Sequence, residues 1–234
     1  MSSDKTFLVD SVGAWLRLGF VLALSVVVGV GMWSVVVILP TVQLDLGITR
    51  GQASLPYVAT MIGYGLGGVV FGRFSDRYGI HRTVVIGIVL MSLGYVSASF
   101  APNLGFLSLS QGLLIGVGTS TTFAPLIAHV SHWFERRKGA AVGIVASGQY
   151  LSGAIWPTIL ESAVKDYGWQ HTYMLVGIVI LLTALPLSMV LSQRPSNEEG
   201  GVDTPVESLL SKLTISRSWF MALLMISVFS CCIA

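Results

Sequence analysis

Six long apolar runs, each separated from the next by a short polar stretch, dominate the pattern of hydrophobic and polar positions. They occupy residues 17–40, 54–74, 83–101, 104–128, 139–160 and 171–192. A helix needs roughly 20 apolar residues to cross a bilayer core about 30 Å thick, and each run is close to that length. None of the runs carries Asp or Glu in its middle, where an unpaired charge is costly. The pattern therefore predicts six transmembrane helices.

The residues after these runs predict a linker and the start of a further helix. Residues 193–217 form the longest polar stretch, in which Thr204 and Glu207 fit a helix capping box. This favours a short amphipathic helix on the cytoplasmic surface, with a disordered connector as the alternative. The apolar run 218–234 predicts the start of a seventh transmembrane helix, truncated where the sequence stops. The predicted organisation is a six-helix bundle over 1–192, followed by the linker and this last segment.

Composition and charge support a membrane protein and predict its orientation. Hydrophobic residues make up 53% of the chain and charged residues 10%, whereas soluble domains carry about 25% charged residues. If the N-terminus is cytoplasmic, eleven of the thirteen Lys and Arg residues fall on the cytoplasmic side, and only Arg50 and Lys165 fall outside. Positive charge is enriched on that side of membrane proteins. We therefore expect an integral protein of the cell membrane with a cytoplasmic N-terminus.

The connection between the second and third apolar runs carries the most specific motif. It reads GRFSDRYGIHR over residues 72–82. The motif resembles the signature loop of the major facilitator superfamily, G-x-L-x-D-R-x-G-R-K, with Gly72, Asp76, Arg77 and Gly79 at its fixed positions. We expect Gly72 to allow close approach to a neighbouring helix and Gly79 to allow a tight turn.

The resemblance implies a gating role for the charges of this loop. In the family, a carboxylate at the position of Asp76 belongs to a cytoplasmic latch that holds the outward-open state. Its expected partners here are Arg77 or the basic pair Arg136 and Arg137. Arg82 lies at one of the looser basic positions of the motif and on its own fits a residue that only sets topology.

A second stretch, HWFERRKGAAVGIVASG over residues 132–148, resembles monocarboxylate transporters and oxalate/formate-type antiporters. Trp133 and Phe134 are expected to anchor the helix end at the membrane interface. Two stripes of small residues, one at Gly139, Gly143 and Ser147 and the other at Gly148 and Ser152, are expected to let the fifth helix pack closely against a partner.

The six helices also show signs of an internal repeat. Pro40 lies near the end of the first run and Pro125 near the end of the fourth, and the second and fifth runs are both rich in glycine. Inverted repeats of three helices are a building principle of transporters. The fold class is therefore predicted as an all-α membrane protein of six helices in 3+3 inverted repeats, plus the truncated seventh.

Polar and aromatic residues in the middle of four helices are the candidates for a substrate pathway. Transporters of this kind bind substrate near the midplane between their two halves. Hydroxyl and amide groups can bind a small anion without a buried charge, and aromatic rings can shape the pocket. The predicted pathway residues are Trp33, Tyr57, Tyr64, Thr119, Thr122, Gln149, Tyr150 and Trp156.

Two departures from the family limit the chemistry of this half. The fourth helix has Gly112 where many proton-coupled members carry an arginine, and Pro40 is followed by Thr41 rather than by the lysine region of monocarboxylate transporters. A cation that binds a carboxylate substrate is therefore expected from the C-terminal half. His129 and His132 lack a third nearby ligand, so no metal site, cofactor or catalytic residue is predicted.

Taken together, the resemblance implies a secondary active transporter that moves a small organic anion, such as a monocarboxylate, by alternating access. Its expected partners are the substrate, a coupling ion for symport or antiport, membrane lipids and the C-terminal half, with no nucleic acid. A drug or sugar transporter of the same superfamily remains open, as does a non-transporting module built on half a transporter. An intramembrane enzyme is disfavoured, because no helix offers a buried acid, paired histidines or a base for its Ser and Thr residues.

Overall fold

The structure, a computed structural model, describes residues 10–192, and this part of the chain is built from helices. Their bounds are α1 Val12–Val28, α2 Val30–Leu46, α3 Arg50–Ala53, α4 Leu55–Tyr78, α5 Ile80–Ser99, α6 Leu104–Leu109, α7 Val117–Ser131 and α8 Lys138–Ser188, with a π-helical turn Ser110–Gly116 between α6 and α7 and a 3₁₀ turn Met189–Ser192 after α8. The linker over 193–217 and the start of a seventh helix over 218–234 lie outside the described residues.

These helices form five apolar segments that are long enough to cross a membrane. The last segment is long enough to cross it twice. The segments run over Val12–Leu46, Arg50–Tyr78, Ile80–Ser99, Leu104–Ser131 and Lys138–Ser192. The last contains 55 residues, which corresponds to a helix of about 80 Å, far more than a bilayer core of about 30 Å needs. Gly168, at φ 77° and ψ 162°, divides it into two helices. The described chain thus has six spans, numbered 1 to 6 in chain order below, as the hydrophobic pattern predicts.

The observed spans differ from the predicted ones mainly at their ends. Span 1 begins five residues earlier than predicted, at Val12, and extends to Leu46, and span 2 extends to Tyr78. The predicted break between the fifth and sixth helices is not a loop but the single residue Gly168. Polar helix ends project beyond an apolar run because their backbone groups bond within the helix. Hydropathy therefore does not mark these ends.

Connections that meet at one end of the bundle define what we call the Asp10 end. The backbone N–H of Asp10 donates to the carbonyl of Trp133 (3.2 Å), which places the start of span 1 beside the connection between spans 4 and 5. His81 Nδ1 lies 3.0 Å from the carbonyl oxygen of Ser188, which places the connection between spans 2 and 3 beside the end of span 6.

The opposite end, which we call the Asp45 end, is marked by a hydrogen bond between spans 1 and 6. The indole Nε1–H of Trp169 donates to Asp45 Oδ2 (2.7 Å). Among the described residues, Arg50 and Lys165 are the basic side chains at this end. Those at or near the Asp10 end are Arg17, Arg73, Arg77, Arg82, Arg136, Arg137 and Lys138.

The way the spans pair supports the 3+3 repeat. Span 1 packs on span 5, where Ser25 Oγ donates to the carbonyl of Val145 (3.4 Å). Span 2 packs on span 4, and span 3 on span 6, where Ser92 Oγ donates to the carbonyl of Gly177 (2.7 Å). A two-fold axis that relates the two repeats exchanges span 1 with span 4, span 2 with span 5, and span 3 with span 6. It therefore converts the contact between spans 1 and 5 into the contact between spans 4 and 2, and it leaves the contact between spans 3 and 6 unchanged. The observed pairing therefore has the symmetry that the repeat requires.

Glycines bring these paired helices into backbone contact. A Cβ at Gly63 on span 2 would collide with the carbonyl of Gly112 on span 4, and one at Gly148 on span 5 would lie 2.8 Å from Ser25 Oγ on span 1. The contact at Gly148, with the fully buried Ser152 one turn later, confirms the second small-residue stripe expected for span 5. The first stripe makes no such contact among the described residues, since a Cβ at Gly139 or Gly143 would meet nothing within 4 Å. Small residues at such crossings allow dispersion contacts to hold membrane helices together.

The two tight turns between helices use the same backbone conformation. Gly79, between spans 2 and 3, has φ 91° and ψ 155°, and Gly168, between spans 5 and 6, has φ 77° and ψ 162°. Only glycine adopts this region without strain. The expectation that Gly79 permits a tight turn is confirmed, and Gly168 holds the corresponding place in the second repeat.

Replacing Gly79 with alanine should lower the free energy of unfolding by about 1–3 kcal/mol, because the substituent strains a backbone that only glycine tolerates. Gly19→Ala is the control, since Gly19 lies inside α1 and a Cβ there would meet nothing within 4 Å among the described residues. The measurement is the midpoint of thermal denaturation of the purified protein in detergent. Equal midpoints for the two variants would contradict the assignment.

Candidate functional site

The signature loop lies exposed at the Asp10 end. Asp76 and Arg77 are exposed in the last turn of α4, and Arg82 is exposed in the first turn of α5. The guanidinium of Arg77 lies 5.5 Å from the ring centroid of Tyr78. Asp76 forms no ion pair with any residue between 10 and 192, so the expected contact with Arg77, Arg136 or Arg137 is absent from this structure.

Gly72 likewise makes no close approach within the described part of the chain. A Cβ at Gly72 would have no atom within 4 Å, and the same holds for Gly65 and Gly68 on the same helix. The predicted close contact of Gly72 is thus not formed inside this six-span bundle. The exposed Asp76 and the open surface at Gly72 leave this face of span 2 available to another part of the protein.

A different acidic residue contacts the basic connection between spans 4 and 5. The backbone N–H of Arg136 donates to Asp10 Oδ2 (3.1 Å), while the side chains of Arg136 and Arg137 are exposed. Trp133 and Phe134 are 2% and 1% exposed, which corrects the expectation that they anchor the helix end in the membrane interface. They are buried because span 1 covers them.

Arg17 and Trp15 of span 1 pack against Trp133 and Phe134. The guanidinium of Arg17 stacks 4.1 Å from the ring centroid of Trp133, and its Nη1 donates to the carbonyl of Val190 (3.4 Å). Trp15 meets Phe134 edge to face, with centroids 5.2 Å apart. Arg17 therefore joins span 1 to span 6 and to Trp133, while Trp15 joins span 1 to Phe134 at the same end.

Trp33 and Gln149 are the predicted pathway residues that the fold brings together. The indole Nε1–H of Trp33 donates to the backbone carbonyl of Gln149 (3.3 Å), and the Trp33 ring packs where a Cβ of Gly153 would lie 2.7 Å from it. Trp33 is 36% exposed and the neighbouring Tyr150 78% exposed. We call this junction of spans 1 and 5 the Trp33 site.

Tyr57 and Tyr64 lie on span 2, seven residues apart. Tyr57 is 38% exposed and Tyr64 is partly buried. Tyr57 is thus exposed and Tyr64 only partly so, and no contact joins either tyrosine to the Trp33 site among the described residues. Their pathway role remains a prediction.

Three other predicted pathway residues, like Trp33, form hydrogen bonds with backbone carbonyls. Thr119 and Thr122 are buried, and their hydroxyls donate to the carbonyls of Ile115 and Thr119 in their own helix (2.7 Å each). The indole of Trp156 donates to the carbonyl of Val26 (2.8 Å) on span 1. These contacts favour a packing role, because hydroxyls in membrane helices often bond their own backbone.

A buried polar network that was not predicted from the sequence crosses the bundle in the half nearer the Asp45 end. Gln111 Nε2 donates to the hydroxyl of Tyr173 (2.6 Å), and the Tyr173 ring meets that of Tyr95 edge to face at 5.1 Å. The Tyr95 hydroxyl donates to the carbonyl of Val30 (3.1 Å) and lies 2.6 Å from Ser34 Oγ. The network thus links spans 1, 3, 4 and 6.

Span 2 joins this network through Thr60, whose Oγ1 lies 3.3 Å from Gln111 Oε1 and 2.8 Å from the carbonyl of Pro56. Gln111 lies in the π-helical turn Ser110–Gly116, a conformation that is frequent at functional sites. The signal that could have identified it is the single amide side chain within the apolar run 104–128. Gln111, Tyr95 and Ser34 are 0% exposed.

Comparison with known protein families decides the identity of this fold. The family model of the Major Facilitator Superfamily matches residues 21–234. The chain belongs to the Major Facilitator Superfamily. The family is one of membrane transporters, so this chain is an integral membrane protein of a transporter family, and the resemblance of residues 72–82 is confirmed.

The chain is similar to several kinds of transporter within this superfamily. It is 38% identical to human monocarboxylate transporter 11 over 130 residues, which are 54% of this chain and 28% of that protein. It is 33% identical over 138 residues to the MFS-type transporter pytF of Aspergillus terreus (58% and 47%), and 29% identical over 162 residues to the fujikurins efflux protein of Gibberella fujikuroi (69% and 34%). The match covers less than half of the length of each of these relatives.

Proposed function

We propose that this chain supplies one wall of a secondary active transporter that carries a small organic anion, such as a monocarboxylate, by alternating access. The observation that supports it best is the Trp33 site. There, the partly exposed indole of Trp33 on one span contacts the backbone of Gln149 on another, and the exposed Tyr150 is the next residue of that second span. In transporters with two halves, substrate binds near the midplane between them. A C-terminal half would supply the opposing wall.

The monocarboxylate class is supported by the names of the relatives and by the chemistry of the Trp33 site. Monocarboxylate transporter 11 of human and mouse and monocarboxylate transporter 13 of Bos taurus are 35–38% identical to this chain over the matched residues. Indole and phenol rings can enclose a short apolar tail, and amide and hydroxyl groups can donate to a carboxylate without a buried charge.

The distribution of charge supports a cytoplasmic Asp10 end, because seven of the nine basic side chains of the described residues lie at or near that end. In this orientation the signature loop faces the cytoplasm. The exposed Asp76 is then available to bind a basic residue or a helix end of the C-terminal half in one conformation and to release it in the other. We expect the protein to act in the plasma membrane, coupled to a co-transported or exchanged ion.

The test is uptake of radiolabelled lactate and butyrate by proteoliposomes that contain the full-length protein, under an imposed pH gradient and under anion exchange. Uptake above that of protein-free liposomes is expected under at least one condition. Asp76→Asn should lower the transport rate about tenfold or more, because a charge-assisted contact of the gate costs at least about 1.4 kcal/mol to lose.

Asp166→Asn is the matched control, since Asp166 is exposed at the opposite end of the bundle. Both variants should be as stable as the wild-type protein, because neither carboxylate is buried. Absence of carboxylate uptake under both gradients would overturn the proposed substrate class. Equal rates for Asp76→Asn and Asp166→Asn would overturn the gating role.

Export of a larger organic compound is the second candidate. It is favoured by the matches to the fujikurins efflux protein and to fungal MFS-type transporters. Efflux of an amphipathic dye from cells that express the full-length protein, without uptake of lactate or butyrate, would support this candidate over the first.

A further inference from the structure

A groove between spans 1 and 5 opens near the Asp45 end. Its volume is about 390 Å³, within the range of about 300–1,000 Å³ that small-molecule sites occupy. Its lining is mostly aliphatic and includes two prolines and one ion pair. The residues are Val36, Val37, Pro40, Thr41, Pro157, Glu161, Val164 and Lys165.

The groove continues outward from the Trp33 site. Val36 and Val37 follow Trp33 by three and four residues on span 1, and Pro157 follows Gly153 by four residues on span 5. Residues three or four apart lie on one face of a helix, one turn apart. The contact between Trp33 and Gly153 therefore lies about one turn deeper in the bundle than the groove, on the same side of both helices.

The rim of the groove carries an ion pair between Lys165 and Glu161, and a bound anion can replace Glu161 in it. Lys165 Nζ lies 2.8 Å from Glu161 Oε1, and the two side chains are 71% and 63% exposed. Ion pairs this exposed are weak because water and salt screen them. A solute carboxylate that enters the groove can therefore replace Glu161 as the partner of the ammonium group.

We propose that this groove is an entry site for amphipathic monocarboxylates. Lys165 binds the carboxylate, the valine and proline side chains bind the aliphatic chain, and Glu161 occupies the ammonium group when no substrate is present. The proposal rests on the proposed transport of organic anions and adds a cation to this half, where the sequence indicates none in the helices. It also predicts that affinity increases with chain length.

The binding mode follows from the chemistry of the lining. The groove offers one cation at its rim and hydrocarbon over most of its wall, so it complements a ligand with one anionic head and a short apolar tail. A dicarboxylate would place its second charge against valine and proline or beside Glu161. A sugar would leave most of its hydroxyl groups without hydrogen-bond partners.

The test is the concentration dependence of uptake of labelled acetate, butyrate and hexanoate by proteoliposomes that contain the full-length protein. KM of the wild-type protein should fall along this series, by up to about fourfold for each methylene group buried. Lys165→Gln should raise KM for butyrate up to about fivefold with unchanged Vmax, since exposed ion pairs contribute at this level. Glu161→Gln should lower KM, because it removes the competing carboxylate.

Arg50→Gln is the matched control, because Arg50 is the other basic residue at the Asp45 end among the described residues and does not line the groove. Lys165→Arg should retain the wild-type KM. The neutral amide of butyric acid should inhibit wild-type uptake more weakly than butyrate does, and Lys165→Gln should reduce this difference. A structural role of Lys165 would not change that discrimination.

The outcomes separate this inference from the proposed function. Carboxylate uptake by the wild-type protein, with the same KM in Lys165→Gln and Arg50→Gln, would overturn the entry site and leave the transport proposal standing. A KM that does not depend on chain length would also overturn it. Absence of carboxylate uptake by the wild-type protein would overturn both.

Discussion

Replacing Gly63 with alanine is expected to destabilise the protein by about 3 kcal/mol, the upper part of the range for an overpacked core. The added methyl group would collide with the carbonyl of Gly112, a backbone atom that cannot move aside as a flexible side chain could. Spans 2 and 4 would have to separate along their whole contact. The measurement is the fraction of monodisperse protein in detergent and the midpoint of its thermal denaturation.

The matched control lies two residues along the same helix. Gly65 is exposed, and a Cβ there would meet nothing within 4 Å among the described residues. Gly65→Ala should match the wild-type protein or exceed it slightly, because alanine is the better helix former. A Gly63→Ala protein as stable as the Gly65→Ala protein would show that the two helices do not cross at this point.

Replacing Tyr173 with phenylalanine is expected to lower the free energy of unfolding by about 2 kcal/mol, because the amide of Gln111 would lose its hydrogen-bond partner in a buried site. The change removes one oxygen and keeps the ring, so the edge-to-face contact with Tyr95 is preserved. Thermal denaturation of the purified protein gives the size of the effect.

Tyr150→Phe is the control for the same chemical change, because Tyr150 is 78% exposed. It should leave stability unchanged, whereas its effect on uptake tests the predicted pathway role of Tyr150. The double variant Tyr173→Phe with Gln111→Leu should be more stable than the sum of the single effects predicts, since it removes both polar partners. Strict additivity would show that Gln111 and Tyr173 are not coupled.

In the proposed transporter, the buried network bears on how this six-span bundle moves. Alternating access is largely a rigid-body rocking of one bundle against another. Hydrogen bonds and ring contacts from Thr60, Gln111, Tyr173, Tyr95 and Ser34 join five of the six spans in the half of the bundle nearer the Asp45 end. A bundle held in this way favours motion as one body.

The predicted pathway residues have different surroundings in the fold, although all lie within apolar helices. Trp33 and Gln149 were expected in the same pathway, and the fold places them in contact. Thr119 and Thr122 were expected in that pathway because of their hydroxyl groups, but the fold buries both side chains. A single helix in sequence does not reveal which of its faces meets another helix, a cavity or lipid.

The sequence by itself determined the class of fold, the six spans, the basic end and the family. Each of these depends on local properties: the length of apolar runs, the exclusion of charge from them, the asymmetry of Lys and Arg, and a contiguous motif at residues 72–82. The tight turn at Gly79 belongs to the same group, because a glycine between two apolar runs is a local signal.

Only the tertiary structure decided which helices meet and what their polar residues do. It joined Gln111 to Tyr173 across 62 positions of sequence, buried Trp133 under span 1, and left Asp76 without an ion pair among residues 10–192. It also placed Lys165 at the rim of an aliphatic groove. Each of these results depends on which faces of two distant helices are in contact, and apolar helices in a membrane carry little patterning that specifies those faces, because lipid and protein interior are both apolar.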